Sequence, residues 1–175
     1  MELKGNRIAI LVAKDYEDSE FWYPYYRMME AGAEVVVVGT ADSDDVVASK
    51  HGRPAEIDLR ADLALEEVDE LDGLIVPGGW APDRLRRCEK TLELVRAVFE
   101  GEKTVAAICH GPQVLISADV VRGRRMTSAP AIKDDMRNAG AVWVDEEAVV
   151  DGKVVSSRSS PDLPAFCRET IRAMR

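Results

Sequence analysis

The chain is predicted to fold as a three-layer αβα sandwich around a mostly parallel β-sheet with a short antiparallel addition. Three features predict it: short continuous apolar runs suited to strands buried on both faces, amphipathic segments between them, and glycines that close those segments. The runs are Ile8–Val12, Val35–Val38, Leu74–Val76 and Val105–Ile108. Sheets of this kind bind ligands at the carboxyl ends of their strands, so chemistry is expected in the residues that follow each run.

The elements follow in order. The first helix is expected after Asp18-Ser19, good N-cap residues; it runs through Tyr25-Tyr-Arg-Met-Met29 and stops at Gly32, with Pro24 early enough to be tolerated. Residues 46–59 read as a small peripheral hairpin: Val46–Ser49, a turn at His51-Gly-Arg-Pro54, then Glu56–Leu59. Glu89–Glu100 places Leu92, Val95, Val98 and Phe99 on one stripe and ends at Gly101, and Ala131–Asn138 ends at Gly140; both read as helices covering a sheet face. Asp151-Gly152, between Ala148–Val150 and Lys153–Val155, suits a type I′ hairpin turn. A last helix over Leu163–Met174, after Pro161, closes the fold.

Composition bounds the function. A chain of 175 residues, 46% hydrophobic and 31% charged, is sized for one compact domain over residues 1–175. A net charge of -9 argues against nucleic acid or an anionic membrane as partner. The basic pieces Arg84-Leu-Arg86-Arg87 and Arg122-Gly-Arg124-Arg125 read as solvated surface or ion-pair partners. No apolar run approaches the ~18 residues of a membrane span. Met1–Asn6 lacks the pattern of a signal peptide, so a cytoplasmic location is expected. Cys88, Cys109 and Cys167 are widely spaced with no C-x-x-C, which predicts free thiols and neither a disulfide framework nor a metal site. Cys167 reads as a packing residue. Cys88 has arginine neighbours that favour a thiolate, but no strand-turn-helix signal frames it. Neither G-x-G-x-x-G nor G-x-x-x-x-G-K-[ST] occurs, and no cofactor is expected.

Cys109-His110-Gly111-Pro112 is the motif that carries chemistry. It stands between the apolar run Thr104–Ile108 and Gln113–Ser117, with Pro112 suited to the first turn of a helix. Cys109 is thereby placed at a strand-to-helix turn, where unpaired N–H groups and the helix dipole favour thiolate, the nucleophilic form. Gly111 suits the close packing of such a turn. The segments after the other strands bring Asp15-Tyr-Glu17-Asp18 and Pro77-Gly78-Gly79-Trp80-Ala-Pro-Asp83 toward the same crevice. Glu17, protonated, is a candidate to share a proton with sulfur; otherwise it is a solvated loop carboxylate. Gly78 and Gly79 offer an N–H for an oxyanion, with the His110 N–H as second donor, or form only a tight turn. His110 is a candidate base, although neighbours in sequence at a sharp turn can point apart. Asp83 reads first as a helix N-cap.

The tetrad within Ala107–Gln113, the segment Tyr16-Glu17-Asp18-Ser-Glu20 followed by Tyr23-Pro-Tyr25, Val76–Arg84, and Lys133-Asp-Asp-Met136 with Asn138-Ala-Gly140 resemble the ThiJ/PfpI family, most closely its intracellular protease I branch. The resemblance spans essentially the whole chain. It implies a flavodoxin-like domain of the class I glutamine-amidotransferase type, a nucleophile at Cys109, and support from His110 and Glu17. It also implies a homodimer or larger assembly, commonly a hexamer, in which an acidic residue crosses the subunit interface. That position is Asp83 here, one methylene shorter than the usual Glu. Part of the aromatic group Trp22, Tyr23, Tyr25 and Tyr26 is expected in a subunit contact.

The activities implied are a cysteine-dependent hydrolase of the protein deglycase or glyoxalase III type, acting on methylglyoxal, glyoxal or their adducts on protein, and an intracellular cysteine peptidase acting on peptides. A third is a redox-sensing or chaperone-like stress protein that uses oxidation of Cys109. Glutamine amidotransfer is excluded. It pairs the elbow cysteine with a histidine far downstream, and this chain has only His51, read as a turn or surface residue, and His110.

Overall fold

Each of the four apolar runs becomes a parallel strand of a seven-stranded sheet in the computed structural model, which describes residues 1–175. In chain order the elements are β1 (Arg7–Leu11), α1 (Asp18–Ala31), β2 (Glu34–Gly39), β3 (Val46–Ala48), β4 (Pro54–Glu56), β5 (Leu59–Arg60), α2 (Ala61–Glu66) and β6 (Gly73–Val76). There follow α3 (Ala81–Leu85), α4 (Glu89–Glu100), β7 (Thr104–Ile108), α5 (Pro112–Ser117), β8 (Arg125–Met126), α6 (Lys133–Asn138), β9 (Val142–Trp143), β10 (Ala148–Asp151), β11 (Val154–Ser157) and α7 (Leu163–Met174).

The main sheet runs β10-β11-β7-β6-β1-β2-β5, parallel throughout except between β10 and β11. One face carries α1 packed on α7, and the other carries α2, α4 and α5, which makes the three layers expected. Both faces are covered, so the central strands have no polar side. Ile8, Ile10, Leu74, Ile75 and all of Val105–Ile108 are fully buried. The chain builds outward from β1 to β2 and β5, then returns to place β6 on the other side of β1. That reversal opens a crevice at the strand ends, and the loops after β1, β6 and β7 meet there.

Several boundaries differ from the sequence reading. The peripheral hairpin exists, but β3 pairs with β4 from Val46↔Glu56 to Ala48↔Pro54, and Leu59 joins the edge of the main sheet instead. The β10–β11 turn is centred on Gly152-Lys153, because Asp151 is already paired with Val154. Positive φ occurs at Gly152 alone (60°), as a type II′ turn requires and a type I′ turn does not. Pro24 is the seventh residue of α1, past its first turn, so the Glu20 carbonyl lacks its helical N–H donor. Asp18 does not cap α1; its carboxylate accepts from Ser49 Oγ at 2.7 Å. Gly32 does end that helix, in the left-handed region at φ 97°. The helix expected from Ala131 opens as a 3-10 turn over Pro130–Ile132 and becomes α-helical at Lys133. The short α2 and α3 and the two-residue β8–β9 ladder were too brief to show a period. Cys167 is buried on α7, as a packing residue should be.

The β7-to-α5 turn is the tightest point in the crevice. A Cβ on Gly111 would fall onto the Val76 carbonyl oxygen and come within 2.8 Å of the Ile108 carbonyl oxygen. Both obstacles are backbone of central strands and cannot swing aside. Gly111→Ala should therefore destabilise the protein by roughly 1–3 kcal/mol or more through overpacking. Urea unfolding of the purified variant measures this, and a midpoint equal to wild type contradicts the packing described.

Candidate active site

Cys109 follows the last residue of β7 and adopts φ 62°, a left-handed conformation rare outside glycine. Such backbone costs on the order of 1–3 kcal/mol and persists only where the surroundings enforce it. Here the Cys109 N–H donates to the Ser157 carbonyl at 3.1 Å, its own carbonyl accepts from Ala129 N–H at 2.9 Å, and Gly111 N–H donates to Ile108 carbonyl at 2.8 Å. The thiol is thus fixed between β11, β7 and the start of α5. His110 does turn toward it: Nδ1 lies 3.3 Å from Sγ. The backbone N–H groups of His110 and Gly79 act on the sulfur in the direction that favours its charged form.

The carboxyl group at the sulfur is Glu20. Glu17, the carboxylate expected there, instead pairs with Lys50, Oε2 to Nζ 3.1 Å, at the partly exposed rim. Glu20 is only 2% exposed; one oxygen accepts from Gly78 N–H at 3.0 Å and the other from Ser160 Oγ at 3.1 Å. It lies beside the Cys109 thiol, and the two groups act on each other's protonation. Ser160 receives a further bond from Ser19 Oγ at 2.9 Å, and the turn that carries it is braced by a two-pronged Arg158–Asp162 pair at 2.8 and 3.0 Å. A Cβ on Gly78 would strike Glu20 Oε2 and lie 2.7 Å from Cys109 Cβ, so glycine is what lets the two groups meet. The signal for Glu20 was present in the sequence. Glu20, Pro24, Met28 and Ala31 lie on the buried stripe of α1, whereas Glu17, although its spacing is in phase with that stripe, is the extended N-cap residue that precedes the helix.

The electrostatics follow from burial. Desolvation raises the Glu20 carboxyl to about 7. Desolvation, followed by the Glu20 charge, pushes the Cys109 thiol up to about 12. Two groups in contact titrate as a pair, so one proton leaves near the lower value and the second is held until the upper one. Between them the pair carries a single negative charge. On sulfur that charge meets the His110 and Gly79 N–H groups and a Glu20 O–H; on carboxylate it meets Gly78 N–H and the Ser160 hydroxyl. The turn thus permits a thiolate, but through a shared proton rather than a helix dipole alone. Burial, then the nearby Lys50 charge, lowers the His110 pKa below its ordinary value, which leaves a neutral imidazole at neutral pH.

Of the other sequence candidates, Gly79 has φ 80° and aims its N–H at sulfur, whereas the Gly78 N–H is spent on Glu20. Asp83 is exposed on α3 and pairs with Arg87 at 3.3 Å, without contact to His110 in its own chain. His51 Nδ1 lies 2.8 Å from Asp18 Oδ2 at the rim. Cys88 lines a separate cavity of about 590 Å³ with Lys14, Arg84 and Arg87, away from the Cys109 turn. Glu20, Lys50 and Ser160 are the site residues that sequence reasoning did not single out. Ser160 lies 140 positions from Glu20 and leaves no local pattern.

The chain is similar to known proteins over nearly its whole length. The family model described as the DJ-1/PfpI family matches residues 6–173. The chain is 51% identical over 171 residues to Deglycase PYRAB04690 of Pyrococcus abyssi, covering 97% of this chain and 99% of that one. It is 42% identical over 173 residues to Protein/nucleic acid deglycase 2 of Escherichia coli, covering 97% and 98% respectively. Among solved structures, a two-domain protein of Anabaena variabilis with dj-1/thij/pfpi-like and ferritin-like domains superposes with a TM-score of 0.91 at 40% identity, covering 95% of this chain and 47% of that one. Drosophila melanogaster DJ-1beta shares the fold with a TM-score of 0.90 at 24% identity, covering 97% and 90%.

The raised Glu20 value has a consequence for stability. A carboxyl whose folded pKa of about 7 exceeds its ordinary 4.5 stabilises the fold fully below the ordinary value, and that contribution is lost as pH rises through about 7. Wild type should therefore lose stability relative to Glu20→Gln between pH 5 and pH 8, by on the order of 3 kcal/mol. Paired denaturant curves at the two pH values measure it; a constant difference between the proteins contradicts the burial argument.

Proposed function

This chain belongs to the DJ-1/PfpI family, and on that premise we propose that it is a cysteine-dependent hydrolase of the deglycase or glyoxalase III type, with α-oxo aldehydes and their adducts on amines as substrates. The observation that carries the reading is the meeting of Cys109 with the buried Glu20 carboxyl across Gly78, with His110 Nδ1 3.3 Å from the sulfur. The relatives named as deglycases support the same class of activity.

The chemistry needs no outside oxidant. Cys109 thiolate adds to the aldehyde carbon, forming a C–S bond, and the resulting alkoxide takes the Glu20 proton. Neutral His110 removes the proton on that carbon, giving an enediolate with its charge on the former ketone oxygen. Return of that proton from His110 to the former ketone carbon, with the hydroxyl proton of the former aldehyde carbon passing to the former ketone oxygen, leaves a thioester of an α-hydroxy acid: the former aldehyde carbon is oxidised and the former ketone carbon reduced. Water then adds to the thioester, the C–S bond breaks, and the thiolate and hydroxy acid separate. The Gly79 and His110 N–H groups hold the oxygen charge that develops in the addition and hydrolysis steps. From an amine adduct, the same attack breaks the C–N bond and the amine leaves with a proton.

A peptidase reading asks more of the site. His110 would need an acid behind it, and in this chain Asp83 is engaged with Arg87. In that reading Asp83 of a neighbouring copy completes the triad in a homo-oligomer. The two are separated by supplying methylglyoxal and a fluorogenic peptide to wild type and to Cys109→Ser and Asp83→Asn variants. The deglycase reading expects lactate formation to fall at least ~1000-fold in Cys109→Ser and to persist in Asp83→Asn. Lactate formation that survives in Cys109→Ser sinks it, and peptide cleavage abolished by either substitution turns the assignment to a peptidase.

A further inference from the structure

Lys50 is placed at the site by a turn built to hold it. The β3–β4 turn is tied to the segment after β1 by the Lys50 N–H, which donates to the Tyr16 carbonyl at 3.0 Å, and by the Asp15 N–H, which donates to Ala48 at 2.8 Å. Tyr16 pairs with Ser49 on one side and with Gly79 on the other, while Glu17 N–H donates to Gly78 at 3.2 Å. The turn, the segment after β1 and the Gly78-Gly79 loop are therefore laced edge to edge. Side chains fasten the turn again: Ser49 Oγ donates to Asp18 at 2.7 Å and accepts from His51 N–H at 3.1 Å and Arg53 N–H at 2.9 Å, and the Tyr16 hydroxyl donates to the Arg53 carbonyl at 2.9 Å. An unconstrained surface lysine has no such scaffold.

The ammonium that this scaffold presents meets Glu17 Oε2 at 3.1 Å and is about one-third exposed. Beyond Glu17, the charges of Cys109 and Glu20 act on it, and its own charge acts on His110. The other nearby cations face elsewhere: Arg53 stacks over the Trp22 ring at 4.1 Å and Arg84 pairs with Asp15 at 3.0 Å. His51 is bound to Asp18. Lys50 is thus the cation at the rim of the Cys109 site, with Glu17 as its resident counter-ion.

We propose that Lys50 is the anion-recognition residue of the Cys109 site, and that it selects small carboxylates, whose carboxylate displaces Glu17 from the ammonium. The assignment rests on the reading of Cys109 as the reactive group. On that reading the hydroxy acid bears its carboxylate on the carbon that was bonded to sulfur, so the anion forms within the field of Lys50. Small α-oxo acids carry the same recognition group before reaction.

The test compares alkylation of Cys109 by iodoacetate and by iodoacetamide, reagents that differ in carrying or lacking a carboxylate, with the modified peptide identified by mass. The ratio of the two rates should fall roughly five- to tenfold in Lys50→Met, as expected for loss of one charge contact near the surface, and be retained in Lys50→Arg. It should rise in Glu17→Gln, which releases the ammonium; because both reagents meet the same thiol, the ratio cancels any change in thiol reactivity that a variant brings. A ratio unchanged in both Lys50→Met and Glu17→Gln, with Cys109 still alkylated, overturns the Lys50 assignment alone. Failure of both reagents to modify Cys109 in wild type overturns the reactive-thiol reading, and this assignment falls with it.

Discussion

A buried thiol and a buried carboxyl set side by side resist carrying charge together, and the crevice is arranged around that constraint. Four stretches of chain must meet to impose it. The end of β7 supplies Cys109, the buried stripe of α1 supplies Glu20, the loop after β6 supplies the N–H groups, and the turn after β11 supplies Ser160. Gly78 makes the meeting possible by having no side chain where the two groups touch. The sheet order brings the strand ends together, because β1, β6, β7 and β11 are successive neighbours.

Stability is traded locally for this arrangement. Cys109 sits in a left-handed conformation that its neighbours enforce through main-chain hydrogen bonds on both sides. Glu20 is kept out of water where a leucine would serve the core better, and its two oxygens are satisfied by a backbone donor and a hydroxyl rather than by a cation. A cation at that point would fix Glu20 as a carboxylate and end its capacity to hold a proton for sulfur. The cation is displaced to the rim, where Lys50 pairs with Glu17 and acts on His110.

The sheet and most helices were legible because they depend on local periodicity: β1, β2, β6 and β7 are continuous apolar runs, and α4 and α7 are single stripes with clear ends. The strand-to-helix turn was legible for the same reason, since Cys109 and Pro112 flank a two-residue gap between strong patterns. The turn between β10 and β11 was misread because Asp151-Gly152 and Gly152-Lys153 are both acceptable turn pairs and only the cross-strand register chooses. The choice of Glu17 over Glu20 failed differently. Both lie in one short acidic segment and share one helical phase, and only the start of the helix at Asp18, which leaves Glu17 as an extended N-cap residue, sends Glu20 rather than Glu17 to the sulfur. Lys50 and Ser160 reach the site through tertiary pairing alone, so nothing in their local sequence marks them.

The most direct test of the shared proton is the ultraviolet absorbance of the Cys109 thiolate followed through a pH titration, with Cys109→Ser as the blank and Glu20→Gln as the comparison. The account predicts that the Glu20 charge, which forms as pH passes through about 7, holds the thiol proton, so that wild-type thiolate absorbance grows in only toward the alkaline end of the titration and the transition moves downward by a pH unit or more in Glu20→Gln. A wild-type thiolate whose midpoint is the same in Glu20→Gln, or moves upward there, contradicts it.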